Sequence, residues 1–126
     1  MQANELKENG YKEFLAPAKL NLFLRVINKR LDGYHNIQTV FQLIDLYDNL
    51  FIKINESGLI RRTSQHTNIQ ESDDLSIKAA HLLKPFADNQ SGADIFIKKS
   101  IPMGGGLGGG SSDAATTLIA LNLLWQ

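Results

Sequence analysis

A chain of 126 residues with 43% hydrophobic and 21% charged residues is one domain's worth of ordinary globular sequence, long enough to bury a core. Thirteen basic residues balance thirteen acidic ones, which argues against a dedicated nucleic-acid binder or a polybasic membrane anchor. No cysteine is present, so disulfides, thiolate metal sites and thiol catalysis are excluded.

Residues 1–13 are polar, lack the apolar core of a signal sequence and read as a flexible leader before a domain over 14–126. No apolar run reaches membrane-spanning length, so a soluble cytoplasmic protein is expected. From Phe14 the pattern becomes strand-like: Leu20, Leu22, Leu24 and Val26 alternate with Lys19, Asn21, Phe23 and Arg25. Period two predicts one buried face, with Lys19 and Asn21 together on the other. Pro17 suits a strand edge.

Asp32-Gly33 marks a turn, and a second strand runs from Asn36 to Leu46. Ile37, Thr39, Phe41, Leu43 and Asp45 share one face while Val40, Ile44 and Leu46 dilute the alternation on the other, so this strand is expected to be covered on both sides. Tyr47-Asp48-Asn49 reads as a turn into a third strand over 50–54, and a short segment at Leu59-Ile60-Arg61 suggests another hairpin. Ser72 or Asp73 is placed to cap a helix with Leu75, Ala79, Leu82, Leu83 and Phe86 at helical spacing, which Pro85 ends or kinks. Ala93 to Lys99 is a strand leading to a glycine-rich stretch, and a last helix from about Ser112 carries Ala114, Leu118, Leu121 and Trp125 on one stripe. His66 and His81 read as surface residues. Strands, a helix, a strand, a loop and a second helix make an α+β domain with a mixed or antiparallel sheet.

The stretch from Ile101 to Ala115 holds six of the ten glycines and leads directly into that helix. Glycines let a ligand approach the backbone closely, and successive N–H groups at a helix N-terminus cradle phosphate oxygens. A merely structural loop would rarely accept the entropy cost of so many, and a flexible linker would lack the Pro-Met lead-in and the apolar helix beyond. The lysine that the P-loop pattern requires is absent, and the dinucleotide pattern met at Gly104, Gly106 and Gly109 lacks its acidic partner about 20 residues on.

Pro102-Met103-Gly104-Gly105-Gly106-Leu107-Gly108-Gly109-Gly110-Ser111-Ser112 does fit Pro-x-Gly-x-Gly-Leu-Gly-x-x-Ser-Ser, which resembles the ATP loop of the GHMP kinases. Those are the galactose, homoserine, mevalonate and phosphomevalonate kinases and their relatives. The segments Pro17-Ala18-Lys19-Leu20-Asn21-Leu22-Phe23-Leu24 and Asp32-Gly33-Tyr34-His35 resemble one branch in particular. That branch phosphorylates the 2-hydroxyl of a cytidine-diphosphate-linked methylerythritol in non-mevalonate isoprenoid synthesis.

The resemblance implies the GHMP N-terminal domain, a fold type shared with a ribosomal-protein domain, and the cofactors ATP and Mg²⁺. It implies that Lys19 assists the transferring phosphoryl group, that Asn21 contacts substrate, that Tyr34 stacks on cytosine and that His35 hydrogen-bonds the cytosine edge. For ATP it implies Asp74 and Leu75 beside the adenine, Lys99 near the nucleotide, and Pro102 to Ser112 around the phosphates. A serine hydroxyl in the loop is also suited to Mg²⁺, with no metal ligand singled out by spacing. Many relatives have Asn where this chain has Asp74, which removes a donor to the base. The family's catalytic aspartate lies in a Gly-Ala-Asp-Val-Pro-like motif that these residues do not contain. Asp113, beside the phosphates, would repel them and is a poor substitute. The apolar helix ending at Gln126 without a C-cap signal suggests a truncated chain, bearing half an active site, inactive alone and prone to self-association. The alternatives are a non-catalytic nucleotide-binding module and another GHMP kinase of homoserine or mevalonate type.

Overall fold

The computed structural model describes residues 1–65, 68–88 and 90–126, so the expectation for His66 lies outside the described residues. A short helix α1 (Ala3–Glu8) precedes two long strands, β1 (Lys12–Lys29) and β2 (His35–Asn55). A three-residue strand β3 (Ile60–Arg62) leads through a 3-10 turn at Glu71–Asp73 to α2 (Leu75–Leu83). A second such turn at Lys84–Phe86, β4 (Gly92–Lys98) and α3 (Gly109–Leu124) complete the order. The sheet runs β1-β2-β4-β3, antiparallel except for the parallel β3–β4 pair. The expected α+β fold with a mixed sheet is the one observed.

The core lies where β2 and β4 meet α2 and α3. Leu50 and Ile52 from β2, Ala93, Ile95 and Ile97 from β4, and Ile77, Ala80, Ala120, Leu121 and Trp125 from the helices form one buried cluster. The alternate residues face the other way: Phe51 joins Leu6 and Tyr11 in a second cluster, with Phe96 against it. Residues 1–13 are therefore not a flexible leader. Leu6 is 1% exposed, and burying such a side chain stabilises by roughly 2 kcal/mol, enough to dock a short helix of good helix formers.

Three further expectations are corrected. Tyr47-Asp48-Asn49 is no turn, since β2 passes straight through it over 21 residues. The far part of the β1–β2 hairpin is exposed on both faces, including Leu22, Leu24, Val26, Ile37 and Phe41. Element length explains this: a 16-residue helix reaches about 24 Å while an 18-residue strand reaches about 60 Å, so α3 can cover only the near part of β1. The helix stripes also differ. Asp74, not Ser72 or Asp73, caps α2 by accepting the Ser76 N–H at 2.9 Å, and Ile77, Ala79 and Ala80 face the core while Leu75, Leu82 and Phe86 are exposed. In α3 the buried residues are Asp113, Thr116, Thr117, Ala120 and Leu121, and Leu118 is exposed. Pro17 stands where expected, in edge strand β1 at a register shift. His81 is exposed, as expected of a surface residue.

Candidate functional site

The glycine loop links the end of β4 to α3. Gly108 is the N-cap of α3 in the left-handed region, at φ +70°, and helix begins at Gly109, within the glycine run and earlier than the sequence suggested. The first backbone N–H groups of a helix have no partner within it, and they carry the positive end of its dipole. Here those groups belong to residues without bulky side chains, Gly109 and Gly110, followed by Ser111. The Ser112 N–H is the first to be taken up, by the Gly108 carbonyl at 2.9 Å. Such an arrangement accepts an anion.

Strand β1 lies against this loop. The Lys19 N–H donates to the Leu107 carbonyl at 2.9 Å, and its aliphatic stem rests where a Cβ on Gly108 would sit, at 3.1 Å. The Lys19 ammonium donates to Asn21 Oδ1 at 3.1 Å and lies 5.1 Å from the centre of the Phe41 ring. Lys19 and Asn21 thus share a side, as their spacing predicts, and both stand beside the loop.

Two hollows flank the loop. One runs between the N-termini of α2 and α3 and along the loop, with Leu75, Lys99, Met103 and Gly110 common to its two parts. The other, more apolar, lies on the β1 side, where Lys19, Phe41, Leu43, Ser111, Ser112 and Ile119 line it. A phosphate chain over the loop could therefore extend to a base on one side and meet an acceptor beside Lys19 on the other. Neither Tyr34 nor His35 lines these hollows. They stand at the tip of the β1–β2 hairpin, where His35 pairs with Lys29 about ten residues beyond Lys19, and Tyr34 is 73% exposed.

Two expected nucleotide contacts have other partners. Both oxygens of Asp74 are used, one by the Ser76 N–H and the other by Arg62 Nη1 at 2.9 Å, in an almost buried ion pair. Lys99 lines the hollow, but its ammonium sits between Asp48 Oδ2 at 2.5 Å and Asp113 Oδ2 at 2.8 Å. Asp48, Arg62 and the pairing of Asp113 all escaped sequence reasoning. A signal did exist for Asp48: with the turn at 47–49 removed, it falls in register with Leu50 and Ile52 on the core face, where an acid requires donors.

Burial raises the Asp48 pKa, but the Ile101 N–H, the Lys99 ammonium and the Ser100 N–H outweigh it and hold the carboxyl below its ordinary range. Burial also opposes the charge on Lys99, yet Asp113 and Asp48 win and raise its pKa. Asp113 is pushed up to about 7, by burial first and by the neighbouring Asp48 carboxylate, with Lys99 only partly offsetting them. Its Oδ1 is buried without a hydrogen-bond partner among the described residues. A carboxyl whose folded pKa lies above its unfolded value contributes stability at low pH, and that contribution is lost as pH rises through the folded value. Asp113→Asn is therefore expected to melt a few degrees above the parent at about pH 8, with the gap narrowing as pH falls and closing below about pH 4. Thermal unfolding across that range checks it.

No helix among the described residues is long and apolar enough to cross a membrane. Residues 74–126 match the family of GHMP kinases N terminal domain. The chain is 55% identical over 113 residues to the 4-diphosphocytidyl-2-C-methyl-D-erythritol kinase of Ruthia magnifica subsp. Calyptogena magnifica, covering 90% of this chain and 40% of that protein. It is 58% identical over 111 residues to the like-named protein of Azoarcus sp. (strain BH72), covering 88% and 39%. The crystal structure of a 4-(cytidine 5'-diphospho)-2C-methyl-D-erythritol kinase superposes with a TM-score of 0.75 at 43% identity, over 90% of this chain and 41% of that one. The chain thus spans about 40% of the length of the relatives it matches. By sequence and by fold the chain is similar to the N-terminal portion of the proteins named 4-diphosphocytidyl-2-C-methyl-D-erythritol kinase, and its fold is that of the GHMP kinase N-terminal domain.

Proposed function

We propose that these residues form the nucleotide-binding half of an ATP-dependent kinase that phosphorylates the 2-hydroxyl of 4-diphosphocytidyl-2-C-methyl-D-erythritol. The observation that carries the proposal is Lys19 lying against Gly108, beside the free N–H groups that open α3. Phosphoryl transfer needs positioning and charge stabilisation more than covalent chemistry. The loop N–H groups hold the phosphate oxygens, and Lys19 supplies positive charge to the transferred group. Leu75 and Met103 provide the apolar wall for the adenine in the hollow they line. The cytosine is held by Tyr34 and His35, and the substrate spans the exposed hairpin face between them and Lys19.

Among the described residues no cluster of three or more His, Asp or Glu side chains forms a metal cage. The site suits Mg²⁺ in the way that ion usually accompanies a nucleotide, by phosphate oxygens, water and one or two protein oxygens, with the loop serines on the protein side. When bound, the ion neutralises charge developing on the phosphates.

No described carboxylate forms an ion pair with Lys19, and Asp113 is occupied by Lys99. The base for the acceptor hydroxyl then comes from outside these 126 residues, so this chain binds without turning over. The apolar hairpin surface favours self-association of the isolated chain at high concentration.

Cytidine recognition is tested by competition. CMP is expected to displace the cytidine substrate, and Tyr34→Ala to weaken substrate binding about tenfold, the value of one lost base stack, with ATP binding unchanged. Substrate binding indifferent to CMP would overturn the choice of substrate. Measurable turnover by the 126-residue chain would overturn the assignment of the base elsewhere.

A further inference from the structure

Asp48 lies in β2 with its side chain wholly buried, yet it is bonded to the approach to the loop instead of to its own neighbourhood. The β2–β4 ladder ends at the Asn49–Lys98 pair. One residue further along β2, the Asp48 carboxylate takes over. Its Oδ1 accepts the N–H groups of Ser100 at 2.6 Å and Ile101 at 2.8 Å, and its Oδ2 accepts from the Lys99 ammonium at 2.5 Å. Three consecutive residues leaving the sheet are therefore held by one side chain.

Two of those three reach the other end of the loop. Ile101 is buried, and its Cγ2 and Cβ lie 3.1 and 3.2 Å from where a Cβ on Gly109 would sit. Lys99 Nζ is 3.2 Å from the same point and also bonds Asp113 in the second turn of α3. The loop thus starts and finishes on groups that converge on Asp48. A buried carboxylate with charge-assisted bonds is a rigid anchor, because leaving any of its donors unpaired in the interior is costly.

We propose that Asp48 is a positioning residue that fixes the two ends of the phosphate loop relative to one another, and thereby sets affinity for a nucleotide's phosphates but not for its base. The inference rests on reading that loop as the phosphate site. Asp48 touches no place where a nucleotide would lie; it acts through Lys99, Ser100 and Ile101.

The test compares the full chain with its Asp48→Asn variant, titrating each with MgATP and with adenosine. ATP affinity is expected to fall about tenfold or more, the loss that goes with one charge-assisted hydrogen bond, while adenosine affinity stays within about twofold. Backbone amide exchange at Ser100 and Ile101 should speed up, with the core amides of β2 and β4 unchanged. A folded variant whose ATP affinity is unchanged, or falls in step with adenosine affinity, overturns the proposal. Should the variant fail to fold, exchange in the parent chain decides: Ser100 and Ile101 have no backbone acceptor among the described residues and must nonetheless be protected, and free exchange there overturns the anchor. A parent chain that binds no ATP defeats the nucleotide reading instead, and the exchange result still judges the anchor by itself.

Discussion

Gly92→Ala is expected to lower the stability of the domain by roughly 3 kcal/mol or more, the upper range for overpacking a rigid interior. Gly92 opens β4, and a Cβ there would stand 2.1 Å from the Leu59 carbonyl oxygen and 2.5 Å from the Leu59 nitrogen. It would also stand 2.6 Å from Asn55 Oδ1. These neighbours cannot easily withdraw. The Leu59 carbonyl accepts from the Ala93 N–H at 3.0 Å and from Asn55 Nδ2 at 3.0 Å, and the Gly92 carbonyl accepts from the Trp125 indole at 3.4 Å. A methyl group must therefore push the segment before β3 away from the sheet, and it disturbs the seat of the last helix as well. A drop in melting temperature of roughly 10 °C follows for a domain of this size. Gly105→Ala is the control, since a Cβ there meets nothing closer than 3.9 Å. Urea unfolding of both variants measures the contrast, and equal midpoints would refute the close approach at Gly92.

Gly108→Val is expected to reduce ATP affinity about thirtyfold or more while leaving the core intact, because a β-branched residue is strongly disfavoured at positive φ. Two effects coincide at this position. The backbone at φ +70° would have to relax, which tilts the first N–H groups of α3 away from a shared focus. The new side chain would also meet the Lys19 stem at 3.1 Å and displace the ammonium that stands over the loop. The strain also lowers stability, by about 1–3 kcal/mol, but the domain should stay folded because Gly108 lies outside both buried clusters. Calorimetric titration with MgATP together with thermal unfolding separates the two. A variant that binds ATP as the parent does would show that the loop conformation is not what holds the phosphates.

The glycine loop was the most legible feature, because six glycines before an apolar helix have few structural purposes and a clear chemical one. The sheet was legible where alternation coincides with burial, as in Leu50, Ile52, Ile95 and Ile97. Alternation misled in the outer hairpin, where Leu22, Leu24 and Val26 keep a strand's pattern without being covered in this domain. A period reports which residues share a face and says nothing about what lies against it. The docked N-terminal helix was missed because a single Leu6 does the anchoring, which leaves no periodicity to detect.

Asp48 shows a different limit. Tyr-Asp-Asn has the composition of a turn, and local propensity was overridden by a long-range need for an anion beneath residues 99–101. Asp74 illustrates the same point from the other side. Read as a base contact, it spends its carboxylate on the α2 cap and on Arg62, more than ten residues away in sequence. Pairings of that kind are settled by topology, which brings β3 alongside β4 and next to α2. Lys19 and Asn21 were legible as a pair since a strand's period of two is local.

The most direct measurement is a backbone amide chemical-shift titration of the isotope-labelled 126-residue chain with MgATP. The largest shifts are expected at Gly104 to Ser112 and at Lys19, saturating together, with smaller ones at Leu75 and Ser76 beside the adenine. Saturable shifts centred elsewhere, or none at millimolar nucleotide, would contradict the glycine loop as the phosphate site and with it the kinase reading.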